Sequence, residues 1–109
     1  MAAPSSYEIY EDSRVVDEYK SWNSGGIIMQ AGQVLRQLGG TVMVFVMEEN
    51  TTSGVTTNKN FACDDASDWT DLYTVPTGYS AYVSVHVCGP STFSLAITAT
   101  HVEGEVAEP

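Results

Sequence analysis

Hydrophobic residues along the chain fall into short alternating runs, and the clearest begins at Ser80. Ala81, Val83, Val85 and Val87 face one way, while Tyr82, Ser84, His86 and Cys88 face the other. This period of two is that of a half-buried strand. Leu72-Tyr73-Thr74-Val75 alternates ahead of it, and Pro76 with Gly78 supplies the turn between the two. Gly89-Pro90 stops the long strand, and Phe93, Leu95, Ile97 and Ala99 continue the same spacing toward Val102.

Upstream, Thr41 to Glu49 reads TVMVFVMEE, β-branched and aromatic with no polar break before Glu48. Such a run predicts a strand buried on both faces, or on one face with a second subunit against the other. Residues 50–60 form a turn-rich connection with a short strand near Val55 to Thr57, and residues 61–71 an acidic loop holding Trp69. The segment GGIIMQAGQVLRQLGG, residues 25–40, admits two readings. Ile27, Ile28, Ala31, Val34, Leu35 and Leu38 fit one helical face, although Gly32 costs about 1 kcal/mol inside a helix. The alternative is a strand, a tight Ala31-Gly32 turn and a second strand. The pattern as a whole predicts an all-β fold, a small antiparallel β-sandwich or barrel-like domain over residues 25–102. An extended acidic, aromatic-containing N-terminal arm covers residues 1–24, and an acidic C-terminal tail covers residues 103–109.

A length of 109 residues and 43% hydrophobic content suit one domain with one modest core. Charge changes the picture more. Fourteen carboxylates face four basic side chains, Arg14, Lys20, Arg36 and Lys59, for a net charge of −10. That balance repels phosphate backbones, so no nucleic-acid partner is expected, and it favours approach to a basic surface. The first residues, MAAPSS, lack the basic and apolar regions of a signal peptide, and no apolar run is long enough to span a bilayer. The expectation is synthesis in the cytoplasm and no membrane partner.

Candidate chemistry is sparse. His86 and Cys88 lie on one strand face as a nominal nucleophile pair, but residues two apart on a strand are splayed by about 7 Å. His86 therefore reads as a surface histidine, and His101 as part of a solvated acidic face. Asp64, Asp65, Asp68 and Asp71 could converge on a hard cation, without the spacing of a known calcium loop. No zinc, phosphate-loop or nucleophile-elbow motif occurs, so neither an enzyme nor a cofactor is expected. Cys63 and Cys88 are candidates for a disulfide or for two free thiols. In the arm, Tyr7, Ile9, Tyr10, Tyr19 and Trp22 are candidate partner contacts, either as anchors on another protein or folded back over their own sandwich.

The stretch DLYTVPTGYSAYVSVHVC resembles a pattern in small structural proteins of tailed bacteriophages, carried here by Leu72, Tyr73, Thr74, Pro76, Gly78, Val83, Val85, Val87 and Cys88. Ala31, Gly32, Val34 and Leu35 are similar to an element of phage head-decoration proteins. The two stretches span about a third of the chain, and Gly89-Pro90 stands where the pattern usually has an Asn-containing turn. The resemblance implies a β-sandwich virion protein without catalytic residues, a homo-oligomeric decoration or cement subunit on the major capsid protein. A tail, collar or fibre-base component is the nearest alternative. A carbohydrate- or host-surface-binding sandwich using Trp69, Tyr73, Tyr79 and Tyr82 is the second.

Overall fold

The computed structural model describes residues 7–64 and 67–99. They form nine strands: β1 Tyr7–Val16, β2 Ser21–Asn23, β3 Ile27–Gln30, β4 Gln33–Leu38, β5 Val42–Asn50, β6 Thr56–Cys63, β7 Thr70–Thr74, β8 Tyr79–Cys88 and β9 Ser91–Ala99. Among the described residues there is no helix. Two antiparallel sheets pack face to face. The first has the order β1-β9-β4-β7; the second has the order β2-β8-β5-β6, with β3 also on β8. Strands β2 and β3 lie end to end along the same edge of β8. Taken together as one strand position, they give the order 1-8-3-6 facing 2-7-4-5, the strand order of a jelly roll.

The strict alternation from Ser80 has the expected consequence. Ala81, Val83, Val85 and Val87 are buried, as are Val42, Val44 and Val46 beside them on β5. Leu35, Phe93, Leu95 and Ile97 close the core from the other sheet. Residues 25–40 resolve as strand, turn, strand, with Gly32 at φ +86° in the turn. This is a corner rather than a hairpin, because β3 pairs in one sheet and β4 in the other. The Gly32 N–H donates to Val75 O, and Val75 N–H donates to Gln33 O, pinning the corner to the chain after β7.

Two readings are corrected. The arm is, from Tyr7 onward, paired strand: β1 forms the edge of the first sheet against β9, and β2 joins the second. Tyr10 and Trp22 pack against the core, so the segment folds back over its own sandwich. The acidic stretch 61–71 and the turn-rich stretch 50–60 likewise hold a full strand, β6, along the whole of β5. Its sequence TTNKNFAC is mostly exposed, which an edge strand tolerates because its pairing is through backbone. Residues 1–6, Asp65 and residues 100–109, with Val102, His101 and the acidic tail, lie outside the described residues.

Among the described residues the buried polar side chains are Gln37, Ser94, Thr98 and one carboxylate. Glu48 points inward from β5 and is 4% exposed. Its Oε2 accepts from the Tyr73 hydroxyl on β7 at 2.5 Å, and its Oε1 lies 3.2 Å from Lys59 Nζ on β6. The pair joins one sheet to the other. Burial raises the Tyr73 hydroxyl well above its ordinary range, and the adjacent Glu48 carboxylate raises it further.

Candidate functional site

The outer faces of the two sheets differ in kind. Register puts Glu11, Arg36 and Asp71 on the outer side of the first sheet, with Arg36 Nε 2.9 Å from Asp71, beside Ser94, Ala96 and Thr98, which are buried there, and Val15, which is 73% exposed. The second turns outward a cluster of large apolar side chains. Ile28 is 68% exposed, Tyr82 50%, Met43 49%, Met47 42% and Phe45 36%. Register places them together: Ile28, Tyr82 and Met47 form one row across β3, β8 and β5, with Phe45 and Met43 following along β5. Of the described strand residues, register puts one charged side chain on this face, Glu49.

Tyr82 is the ridge of the face. Gly26 lies beneath its ring, and an added Cβ there would come within 1.9 Å of the Tyr82 hydroxyl oxygen. Hollows flank it on both sides. One of about 350 Å³ is lined by Phe45, Met47, Asn58, Asn60, Tyr82 and Ser84. Another of about 260 Å³ lies between Ile28, Met47, Glu49 and Tyr82.

Below the ridge, His86 packs edge-on to Phe45 with centroids 4.8 Å apart. Asn23 Oδ1 accepts from Gly25 N–H at 2.7 Å, which directs its amide nitrogen to His86 Nδ1 at 3.1 Å. The same amide nitrogen lies 3.4 Å from His86 Nε2, which is also 2.9 Å from Ser84 Oγ. Ser84, His86 and Asn23 therefore form a self-satisfied polar patch at the border of the apolar face.

The residues singled out from sequence are dispersed. Ile9 sits at a bulge on the β1 edge, 50% exposed, and Tyr19 is 95% exposed in the turn after β1 at φ +64°. Tyr7 contributes backbone to β1, and its side chain lies outside the described residues. Tyr10 packs on the core, its hydroxyl raised by burial first and by Asp12 second. Trp22 packs on Phe93 with ring centroids 5.0 Å apart and planes tilted by 52°, with Arg14 above it at 5.5 Å, at the open edge between the sheets. Of the four candidate glycan aromatics, Tyr82 alone belongs to the exposed face. Tyr73 points to Glu48, Tyr79 packs on the core and Trp69 is half-buried.

Cys63 and Cys88 are free thiols. Cys63 lies on the inner face of β6 and Cys88 on the outer face of β8, with β5 between them. Two strand spacings, about 9–10 Å, exceed the Cα separation a disulfide spans. Two of the aspartates are engaged locally: Asp68 Oδ1 accepts from Trp69 N–H, and Asp71 pairs with Arg36. Among the described residues no three of these groups converge on a metal position.

Sequence reasoning noted the run from Val42 to Met47 but did not place Ile28, Met43, Phe45, Met47 and Tyr82 on one surface. The signal available was the absence of polar residues at the alternate positions of β5. No protein-family model matches the chain, and comparison with curated proteins and with solved structures finds no match.

Proposed function

We propose that the protein is a non-catalytic structural subunit of a virus particle, a decoration or cement protein on the head of a tailed phage. The observation that carries the reading is the exposed apolar face of the second sheet on a chain of net charge −10. Exposed large apolar side chains gathered on one face mark a surface built for contact. The jelly-roll strand order agrees by analogy of fold, since viral capsid domains use it, as do lectins. The resemblance of residues 71–88 to phage structural proteins supplies the particular setting. A subunit that binds the assembled shell stabilises it by mass action.

Stoichiometry tests this. Intact particles would be purified from the source and the chain quantified against the major shell protein. One copy per shell subunit, or one per three, is the expected result. A few copies per particle would place it in the tail or collar, and absence from every particle would overturn the reading. A glycan-binding sandwich has one observation in its favour: Tyr82 and Phe45 are flanked by the amides of Asn58 and Asn60. A glycan array without a hit removes it.

A further inference from the structure

We propose that the apolar face of the second sheet is covered by a second copy of this chain, so that two sandwiches stack through their five-stranded sheets. The inference rests on the reading of the protein as an assembly subunit and names the partner of its contact face.

Size is the first argument. The four strand positions and the residues from Met43 to Glu49 span roughly 20 Å by 20 Å, from strand spacing and rise. Two such faces bring together about 800 Å² as flat areas, and their corrugation raises this toward the roughly 1,000 Å² at which specific interfaces begin. Charge is the second. Two chains of −10 repel each other, and close contact between like faces costs least where neither carries charge. Glu49 lies at the border of this face and the remainder is uncharged. A basic shell surface would instead be met by acidic side chains, which lie elsewhere on the molecule. Shape is the third. A two-fold contact is self-complementary, each patch meeting the same patch. This face offers a ridge, Tyr82, beside a hollow lined by Phe45, Asn58 and Asn60, and a two-fold pairing sets each ridge into the partner's hollow. The methionines at 43 and 47 adapt to such a fit.

The test is sedimentation equilibrium on the full chain over micromolar to millimolar concentration, at low and high salt. The expected result is a species of twice 11.8 kDa whose dimerisation strengthens as salt screens the repulsion. Met47→Asp places a carboxylate in the contact and weakens the dimer by about tenfold or more. Ile28→Lys is the second variant, on an edge strand and 68% exposed, should the first fail to fold. Val15→Asp, 73% exposed on the other sheet, leaves the dimer intact. A monomer throughout the concentration range overturns the proposal, as does a dimer insensitive to both face variants while they remain folded. A monomer that still binds purified shells overturns the dimer alone. A dimer found in no particle overturns the virion reading alone.

Discussion

Removing the Tyr73 hydroxyl isolates a charge-assisted bond that ties the two sheets through their interior. Tyr73→Phe keeps the ring in place beside Phe61, 6.4 Å away, and deletes only the donor. The Glu48 carboxylate then stays buried with Lys59 Nζ on Oε1 and nothing on Oε2. Loss of a hydrogen bond to a charged group costs about 1.5–3 kcal/mol. For 109 residues, an unfolding entropy near 2.1 cal/mol/K per residue makes each kcal/mol worth roughly 4–5 °C. The expected fall in midpoint is therefore roughly 7–13 °C, read by circular dichroism at pH 7. Tyr73→Phe combined with Glu48→Gln should cost less than the two single changes added, by about 1 kcal/mol or more. The pH dependence gives an independent check. The folded hydroxyl is raised above its unfolded value of about 10, so its contribution is whole below pH 10. Above that the unfolded phenol ionises while the folded one keeps its proton, and the contribution shrinks as pH rises. The gap between wild type and Tyr73→Phe should hold steady to pH 10 and narrow beyond it. A gap under about 0.5 kcal/mol at pH 7, within the range of neutral surface changes, would refute the account. So would a gap that fails to narrow between pH 9 and 11.

Gly89→Ala should lower the urea midpoint by the equivalent of at least about 2 kcal/mol, because its Cβ would lie 1.9 Å from Asp17 O and 2.7 Å from Val16 O, both backbone. Phe93→Ala should cost about 3–5 kcal/mol and shift the emission of Trp22, whose ring centre is 5.0 Å away, toward the red. Thiol titration of the native protein should give two reactive groups, Cys88 at once and half-buried Cys63 slowly, and a reductant should leave the melting midpoint unchanged. An intact mass two units low would contradict the placement of these cysteines on opposite faces.

Where one strand face is core and the other is not, the chain was legible. The alternation at Ala81, Val83, Val85 and Val87 and at Phe93, Leu95 and Ile97 identified β8 and β9 and assigned their inner sides correctly. Turn chemistry at Pro76-Thr77-Gly78 located one corner, while Ala31-Gly32 offered the second only as one of two readings of residues 25–40. Two of the edge strands were not legible, although a third, β7, showed in the alternation of Leu72 to Val75. β1 and β6 carry few core residues, and their backbone pairing leaves no periodic trace, so YEIYEDSRVV read as an arm and TTNKNFAC as a turn and loop. The sheet-to-sheet Glu48–Tyr73 bond was equally hidden, because it joins residues 25 apart whose strands face each other only through the strand order. The same holds for Cys63 and Cys88, whose opposite faces follow from parity once β6 exists.

The contact face was visible only as a broken rule. On a sheet with one wet face, the outward positions of a strand should be polar, and β8 obeys with Ser84 and His86. β5 does not: its outward residues before Glu49 are Met43, Phe45 and Met47. Its inward residues are valines ending in a buried glutamate, so the strand is apolar where water should be and charged where the core is. Each exception has its own partner. Glu48 has Tyr73 and Lys59, within the chain. Ile28 and Tyr82, on neighbouring strands, extend the outward exception into a surface that no described residue of the chain covers. Local rules give way where function imposes a competing demand. For the inward exception the demand is a tie between sheets, and for the outward one, on the proposal made above, it is a surface for a second copy of the chain to cover.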